Sequence, residues 1–360
     1  MFKHQLTSAA LSILVIFSAT AYADSATQAT FKIGVSAPLS GEIAEYGAAV
    51  RNGIELAIQQ EPTEFKSIKF IYEDNRYDSS IALDVYRKLT TIDGVSAIYQ
   101  WGESPLKSVA ALAERNHTPL LAMSIDATPA LGAHYIIRSI NHPRQIAEKL
   151  LQYLRSHKFK RIGIVATEDP FISALVTALE EQADQSESID VINTFQPSET
   201  DFRAQIVRMR EAHYDALGVY LLPGQVSAFY RQSKALHFSI PSFGTDVFES
   251  KTENQQANGA MEGAIFPNIE VPKLFVDAYT EKYGNNNQIS YAYNAYLFAK
   301  QSSYVFDGHT ALTPEEIVQR YAQNDRAGAY NFQESKEFGR FFEYPFVIKQ
   351  ITKGEFVALR

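Results

Sequence analysis

The stretch FKIGVSAPLSGEIAEYGAAVRNGIELAIQQ, residues 31–60, decides the fold prediction. Its first seven residues, Phe31 to Ala37, form an apolar run that ends before a proline and a glycine. Such a run indicates a buried strand followed by a loop. Beyond the loop, apolar residues recur at helical spacing from Val50 to Ile58, so the segment predicts strand, loop and helix, the first half of a βαβ unit. Ligands of open α/β sheets bind beyond the carboxyl ends of strands, which makes the loop 36–46 the first candidate for a site.

The alternation of strand and helix continues along most of the chain. Strands are predicted at 68–73, 95–100 and 119–123, each followed by a helix or a polar loop, and a second series starts near Ile136. Each series covers ~110–130 residues, the size of one lobe. We therefore predict an α/β protein of two Rossmann-like lobes, each a parallel sheet flanked by helices. The residues 344–351 and 355–358 predict a final pair of strands.

Composition excludes several classes of function. The net charge is −8, and an acidic protein is a poor partner for nucleic acid or an anionic membrane surface. Cysteine is absent, so disulfides and thiolate chemistry are excluded. The chain has no GxSxG, P-loop, GxGxxG or HExxH motif, and its eight histidines lack metal-ligand spacing. We expect no enzyme activity, no cofactor and no metal.

The N-terminus predicts a cleavable secretory signal at residues 1–23. Lys3 and His4 precede an apolar core from Ala9 to Ala19, and Ala21-Tyr22-Ala23 has the small-x-small pattern of a cleavage site. The apolar run is about half of the ~20 residues that span a bilayer. Without a cysteine for lipid attachment, the mature protein is expected to be freely soluble in a periplasm.

The segment GVSAPLSG followed by EYGAAVRNGIELAIQQ resembles the opening of type I periplasmic binding proteins. Specifically, it is similar to the branched-chain amino acid-binding (Leu/Ile/Val-binding-like) family of ABC importers. The resemblance implies two hinged lobes with a ligand cleft between them, connected by three crossings of the chain. We place the crossings near 139–143, 267–272 and 330–340. The first lobe would then hold residues 24–141 plus 270–335, and the second lobe 142–269 plus 336–360.

The resemblance implies ligand-binding residues in two loops of the first lobe. Tyr46 occupies the position of an aromatic residue beside the ligand; otherwise it packs the start of a helix. The loop Trp101, Gly102, Glu103 and Ser104 corresponds to the one that offers hydroxyl and backbone N–H groups to a ligand carboxylate. Trp101 is alternatively a core residue, and Ser104 a helix N-cap.

A third loop, containing Ile125, Asp126 and Thr128, resembles the loop whose carbonyl and threonine hold the ammonium and carboxylate groups of the ligand. Simple alignment places Ala127 at the threonine position, one residue before Thr128. Asp126 is unexpected there, because its charge repels a carboxylate and attracts a cation.

Three further residues complete the predicted site. Phe171 corresponds to an aromatic residue that covers the ligand on closure, and Asp246 to the acidic residue that pairs with the α-ammonium group. Asp246 is otherwise a solvated turn residue. Tyr291 and Tyr293 lie near the cleft in the same predicted helix, and helical spacing sends at least one of them, Tyr293, to the core.

These features predict an extracytoplasmic solute-binding protein of an ABC importer, a monomer that captures a small amino-acid-like ligand and docks on a permease in the inner membrane. One alternative is a ligand-sensing subunit for a membrane signalling partner. Another is a binder of a cationic or amide solute, which applies if Glu103, Asp126 and Asp246 all face the cleft. A secreted enzyme would need a paired nucleophile and base, and the sequence shows none.

Overall fold

Two seven-stranded sheets form the two lobes in the computed structural model, which describes residues 31–323 and 330–359. The predicted signal peptide lies outside the described residues. The strands are β1 Phe31–Ala37, β2 Ile68–Asp74, β3 Ala97–Trp101, β4 Leu120–Met123, β5 Ile136–Arg138, β6 Arg161–Thr167, β7 Ser188–Phe195, β8 Ala216–Tyr220, β9 Ser242–Gly244, β10 Ile265–Ile269, β11 Asn331–Ser335, β12 Gly339–Glu343, β13 Phe346–Thr352 and β14 Glu355–Leu359.

Helices cover the sheets. They are α1 Ala44–Gln60, α2 Ser79–Arg87, α3 Glu103–Arg115, α4 Pro143–Ser156, α5 Pro170–Gln182, α6 Arg203–Ala212, α7 Gln225–Ala235, α8 Lys251–Gln256, α9 Lys273–Tyr283, α10 Ile289–Phe306 and α11 Pro314–Gln323. Within the described ranges, none of them has the length and apolar character needed to cross a membrane.

The two sheets match in the order of five strands and differ in the hairpin at one edge. The first has the order β11-β12-β5-β4-β3-β1-β2 and the second the order β14-β13-β10-β9-β8-β6-β7. In the first sheet six neighbouring strands run parallel, β12 included, and in the second sheet five do. Strand–helix alternation predicts this parallel part, and each sheet ends in an antiparallel hairpin. The predicted fold of two α/β lobes is confirmed, with mixed rather than purely parallel sheets.

The third crossing lies later in the chain than predicted. The hairpin of β11 and β12 pairs with β5 of the first sheet, where Phe341 lies beside Arg138. Residues 336–343 therefore belong to the first lobe, and the predicted crossing at 330–340 is wrong. The buried ring of Phe342 fixes this placement, because it packs 4.8 Å from the ring of Tyr330 inside the first lobe. The chain passes to the second sheet after Glu343.

The three crossings run side by side and are joined by hydrogen bonds. The side-chain amide of Asn141 donates to the carbonyl of Tyr344, and its oxygen accepts from the Tyr344 N–H, both at 2.9 Å. The N–H of Glu270 donates to the carbonyl of Pro345 at 2.7 Å. These bonds satisfy backbone groups that have left one sheet and not yet joined the other.

A buried asparagine on α10 connects the first and third crossings to the core of the first lobe. Asn294 accepts a hydrogen bond from the Tyr99 hydroxyl at 2.8 Å and donates to the carbonyl of Ser139 at 2.7 Å. The Ser139 hydroxyl lies 2.9 Å from the Tyr344 hydroxyl. All four side chains are buried, so the network links the core of the first lobe to both crossings.

The two long helices of the first lobe, α1 and α10, touch backbone to backbone at Gly53. A Cβ atom at Gly53 would lie 2.0 Å from the carbonyl oxygen of Ala292. The contact is with backbone, so a side chain cannot move aside to make room. Only glycine permits this approach of α1 to the helix that carries the hinge residue Asn294.

We predict that Gly53→Ala destabilises the protein by about 2–4 kcal/mol, because the new methyl group forces α1 away from α10. An alanine in place of a helical glycine ordinarily stabilises by about 1 kcal/mol, so the expected sign is opposite to the helix propensity. Urea unfolding measures the effect, with Gln59→Ala on the exposed face of α1 as the control. A Gly53→Ala protein as stable as wild type would contradict the close approach.

Candidate functional site

A cleft of about 1200 Å³, solvent at its mouth included, lies between the carboxyl edges of the two sheets. The first lobe lines it with the loops that follow β1, β2, β3 and β4 and with the first turn of α10. The second lobe contributes the loops that follow β6, β8 and β9. Every loop is at the end of a parallel strand, the position where α/β folds bind ligands.

Four aromatic rings form one wall of the cleft. The ring of Trp101 lies 5.4 Å from Tyr46, 5.6 Å from Tyr77 and 5.7 Å from Tyr291, measured between centroids. Trp101 is the last residue of β3 and is 7% exposed. The next residue, Gly102, has φ of +102°, and a Cβ atom there would meet the Tyr77 ring at 2.7 Å. The absence of a side chain at Gly102 therefore lets the Tyr77 ring pack beside Trp101.

Tyr77 reaches the cleft through an unusual turn after β2. The buried side chain of Asn75 donates to the Ser36 hydroxyl and to the Trp101 carbonyl, and it accepts from the Tyr77 N–H at 2.9 Å. Tyr77 and its neighbour Arg76 both have left-handed backbone angles, with φ of 57° and 49°. Non-glycine residues in this conformation concentrate at functional sites, because the surrounding structure must enforce the strain.

A buried carboxyl group, Glu103, lies beside this wall. Glu103 is the first residue of α3, and its Oε1 atom accepts a hydrogen bond from the Ile125 N–H at 2.9 Å. Burial raises the pKa of Glu103 to about 8, and the charges of Asp169 and Asp246 act in the same direction. The side chain joins the loops that follow β3 and β4.

Two more carboxyl groups come from the second lobe. Asp169 caps α5 by accepting from the N–H groups of Phe171 and Ile172, and burial raises its pKa. Asp246 follows β9 and accepts a hydrogen bond from the Tyr291 hydroxyl at 2.6 Å. Burial raises the pKa of Asp246 to about 6. The bond between Asp246 and Tyr291 joins the two lobes across the cleft.

A smaller recess of about 480 Å³, measured in the same way, continues from the cleft into the second lobe. The two share six lining residues, among them Phe171, Asp246 and Tyr291, and the recess is walled mainly by apolar side chains such as Leu175 and Phe346. The site thus has a polar, aromatic part and an apolar part, with Asp246 at the junction.

The structure brings seven of the eleven predicted site residues to the cleft. They are Tyr46, Trp101, Glu103, Ile125, Phe171, Asp246 and Tyr291. Their contact with a ligand stays a prediction. Tyr293, expected in the core, packs 4.9 Å from the ring of Phe275.

Four predicted residues lie elsewhere. Gly102 shapes the wall from behind, and Ser104 is the second residue of α3, where its carbonyl accepts from Ser79. Asp126 and Thr128 line a separate surface depression. Asp126 accepts from the Thr128 N–H at 2.8 Å, so its carboxylate closes a local turn away from the cleft.

Arg138 explains this orientation of the loop after β4. Its buried guanidinium donates to the carbonyls of Ser124 and Ile125, which pulls the backbone of the loop inward before Asp126. Sequence reasoning identified neither this contact nor Tyr77 and Asp169 as site residues. Asp169 had a signal, because Asp-Pro-Phe after an apolar strand is a helix N-cap at the end of a parallel strand.

We predict that Glu103→Gln stabilises the ligand-free protein, and more so at high pH. Folding raises the pKa of Glu103 from 4.5 to about 8, so the native state binds the proton more tightly and the unfolding free energy of wild type declines as pH rises between those values. The charged groups that face Glu103 are Asp169, Asp246 and Arg138. Above pH 8 the glutamine variant should exceed wild type by about 2–4 kcal/mol, and near pH 5 by much less.

Urea unfolding of both proteins at pH 5 and pH 9 measures this difference. Glutamine keeps the hydrogen bond from Ile125, so the variant isolates the charge. Glu42→Gln, an exposed change at the mouth of the same cleft, is the control and should alter stability by less than about 0.5 kcal/mol. A difference between Glu103→Gln and wild type that does not change with pH would refute the prediction.

Solved structures share the fold over almost the whole chain. The leucine-binding protein LivK from Thermotoga maritima is 20% identical, with a TM-score of 0.81 over 92% of this chain and 98% of its own. LivJ from Streptococcus pneumoniae, solved with isoleucine, is 20% identical, with a TM-score of 0.78 over 91% and 98%. A solute-binding protein of an ABC transporter from Rhodopseudomonas palustris BisB5, solved with 3,4-dihydroxybenzoic acid, is 17% identical, with a TM-score of 0.77 over 91% and 96%.

Sequence comparisons point to the same group. The Leu/Ile/Val-binding protein homolog 8 of Brucella suis is 21% identical over 339 residues, covering 85% of this chain and 83% of its own. The sequence model of the family described as periplasmic binding protein matches residues 30–302. With the two-lobed fold and its cleft, these matches show that the chain belongs to the periplasmic binding proteins and has their type I fold.

Proposed function

We propose that this protein is the extracytoplasmic substrate-binding component of an ABC importer, and that it captures a small amino-acid-like solute when its lobes close. The observation that carries the proposal is the convergence of both lobes on Asp246. This second-lobe carboxyl group sits in the cleft, bonded to Tyr291 of the first lobe and flanked by Phe171. A carboxylate in a cleft closed to water is a strong partner for a ligand ammonium group.

Closure about the three joined crossings supplies the capture step. A ligand that touches Asp246 and Phe171 on one side and Trp101 on the other gains its full set of contacts only when the lobes are together. Its binding free energy therefore favours the closed state in proportion to that difference in affinity. Hinge closure of this kind is an established behaviour of periplasmic binding proteins.

Polar contacts outside the cleft also join the two lobes. The hydroxyl of Thr252, in the second lobe, donates to Glu45 of the first lobe at 2.9 Å. At another edge, Arg144 of α4 forms an ion pair with Glu337, in the turn between β11 and β12. Both pairs are polar and solvent-exposed, so they are weak and reversible, which suits a cleft that must reopen.

Location and partners complete the proposal. The predicted signal peptide and the absence of cysteine support a periplasmic protein without a lipid anchor. Relatives with printed roles in ABC transport support a permease in the inner membrane as the partner of the closed form. We further propose that the protein is a monomer and binds its ligand without converting it.

Thermal unfolding of the purified protein against amino acids, amides, polyamines and aromatic acids tests the proposal. A ligand at ~100 times its dissociation constant adds about 2.7 kcal/mol, enough for a visible shift in Tm. We expect hits that carry a free amino group. Hits restricted to aromatic acids would contradict the role given to Asp246, and a protein that responds to no solute would favour the sensory alternative through a protein partner.

We predict that Asp246→Asn weakens the binding of an amine ligand by about 100-fold, because it removes the charge from the hydrogen bond to the ammonium group. Asparagine still accepts from the Tyr291 hydroxyl, so the lobes stay connected. Isothermal titration measures the effect. Asp190→Asn, an exposed change on β7 of the same lobe, is the matched control, and equal losses in the two variants would remove Asp246 from the site.

A further inference from the structure

Three carboxyl groups face the cleft without a basic partner. In the part of the chain that the structure describes, no lysine, arginine or histidine nitrogen lies within 4.0 Å of Glu103, Asp169 or Asp246. A nearby carboxyl group shows the contrast. Glu249 is fully buried, but it pairs with the Lys349 ammonium at 2.5 Å. The cleft carboxyl groups are therefore placed together at an energetic cost that the protein avoids elsewhere.

The charged groups around the cleft leave these three carboxyl groups without a cation of their own. Behind the loop that follows β4, the buried guanidinium of Arg138 lies near both Asp126 and Glu103, and its N–H groups bind backbone carbonyls. At the mouth, the exposed side chains of Arg76 and Glu42 cancel, and Arg76 lies 3.6 Å from Asp74. The three carboxyl groups therefore share at most one nearby cation, and a cationic ligand would supply the partner that they lack.

The aromatic wall beside these carboxyl groups favours the same kind of ligand. Faces of tryptophan and tyrosine rings attract cations and repel anions, and Tyr77, Trp101, Tyr46 and Tyr291 lie within 6 Å of a neighbouring ring. The indole N–H of Trp101 is buried and has no hydrogen-bond partner among the described residues. Trp101 lines the cleft, so an acceptor on the ligand that reaches this N–H would pair a polar atom that is costly to leave unpaired.

We propose that the cleft selects a solute with two cationic nitrogen groups. Asp246 binds one of them, and Glu103 and Asp169 bind the other from opposite lobes, with the carbon chain lying along the aromatic wall. The inference rests on the proposed function, since it adds a second charge to the amine already assigned to Asp246. It covers both diamines and basic amino acids; in the latter, the carboxylate would accept from the Trp101 N–H.

Two competing ligands make the inference testable. A branched-chain amino acid would place its side chain in the apolar recess next to Phe346 and would need only Asp246. An aromatic acid would need protonated carboxyl groups as donors. With its pKa raised to about 8, Glu103 is available for that role at neutral pH, whereas Asp246, at about 6, is ionised. A charged group inside the cleft disfavours the aromatic acid.

The test compares ligands that differ by one charged group. Ornithine, putrescine and norvaline share a short straight chain, and lysine, cadaverine and norleucine form a longer set; leucine and benzoate represent the competitors. Isothermal titration at pH 7.5 should show a dicationic member of a set binding about 10- to 100-fold tighter than its neutral-side-chain counterpart, the range for one charge-assisted hydrogen bond. Within each set, comparing the basic amino acid with the diamine shows whether a carboxylate is also recognised.

Proton linkage gives a second readout. A cation beside Glu103 stabilises its ionised form and lowers its raised pKa, so binding should release protons. Titrations in two buffers of different ionisation enthalpy measure how many protons are exchanged on binding and whether they are released or taken up. Proton uptake on binding of benzoate, with benzoate the tighter ligand, would overturn the inference.

Two variants locate the second charge. Glu103→Gln and Asp169→Asn should each reduce the preference for the dicationic ligand by about 10-fold. Asparagine is a good N-cap, so Asp169→Asn keeps the start of α5. Asp78→Asn changes another capping aspartate, at α2, that does not line the cleft, and should leave the preference unchanged.

The outcomes separate the two proposals. Tight binding of norvaline, norleucine or leucine with no preference for a second amine would overturn the inference and leave the proposed function standing. Binding of none of the amines would overturn both. A preference that survives unchanged in Glu103→Gln and Asp169→Asn would place the second charge elsewhere and refute the assignment.

Discussion

The pairing of the Asn141 side chain with the backbone of Tyr344 is the interaction on which the two-lobed arrangement depends. A chain that crosses three times between two sheets exposes backbone groups that neither sheet can satisfy. Here the side-chain amide of Asn141 pairs with the N–H and carbonyl of Tyr344 as a neighbouring strand would. The hydrogen bond from the Glu270 N–H to the Pro345 carbonyl adds a second link. Asn294 ties Ser139, and through its hydroxyl Tyr344, to the core of the first lobe.

This geometry also explains why the cleft is acidic. The lobes face each other with the carboxyl edges of their sheets, where loops begin helices and where acidic residues are favoured as caps or first-turn residues. Asp169 caps α5 and Glu103 opens α3, so both are good local choices that become neighbours only when the lobes meet. The same carboxyl groups thus favour the starts of their helices and face the cleft. Their mutual repulsion arises only in the assembled fold.

The parts of this structure that sequence could predict are those set by local pattern. The run 31–37 and its helix give the fold, and the family resemblance led to Asp246. The family resemblance placed Asp126 near the cleft. The sequence of its loop carries no sign that Arg138 donates hydrogen bonds to the two preceding carbonyls, so the different orientation could not be predicted. Tyr77 was missed because its left-handed backbone depends on a buried asparagine and not on a glycine. The late third crossing depends on pairing between β12 and β5, which are about 200 residues apart and leave no local signal.

The position of Trp101 has an optical consequence. It is the only tryptophan of the chain and lies on the wall of the cleft, with Tyr46, Tyr77 and Tyr291 next to its ring. All indole fluorescence of the protein therefore originates within the cleft, and the adjacent tyrosines transfer their excitation to it. Solvent access, the field of the carboxylates and the approach of the second lobe each change the environment of that one emitter. A change in the cleft therefore reports through one emitter, without background from a second indole.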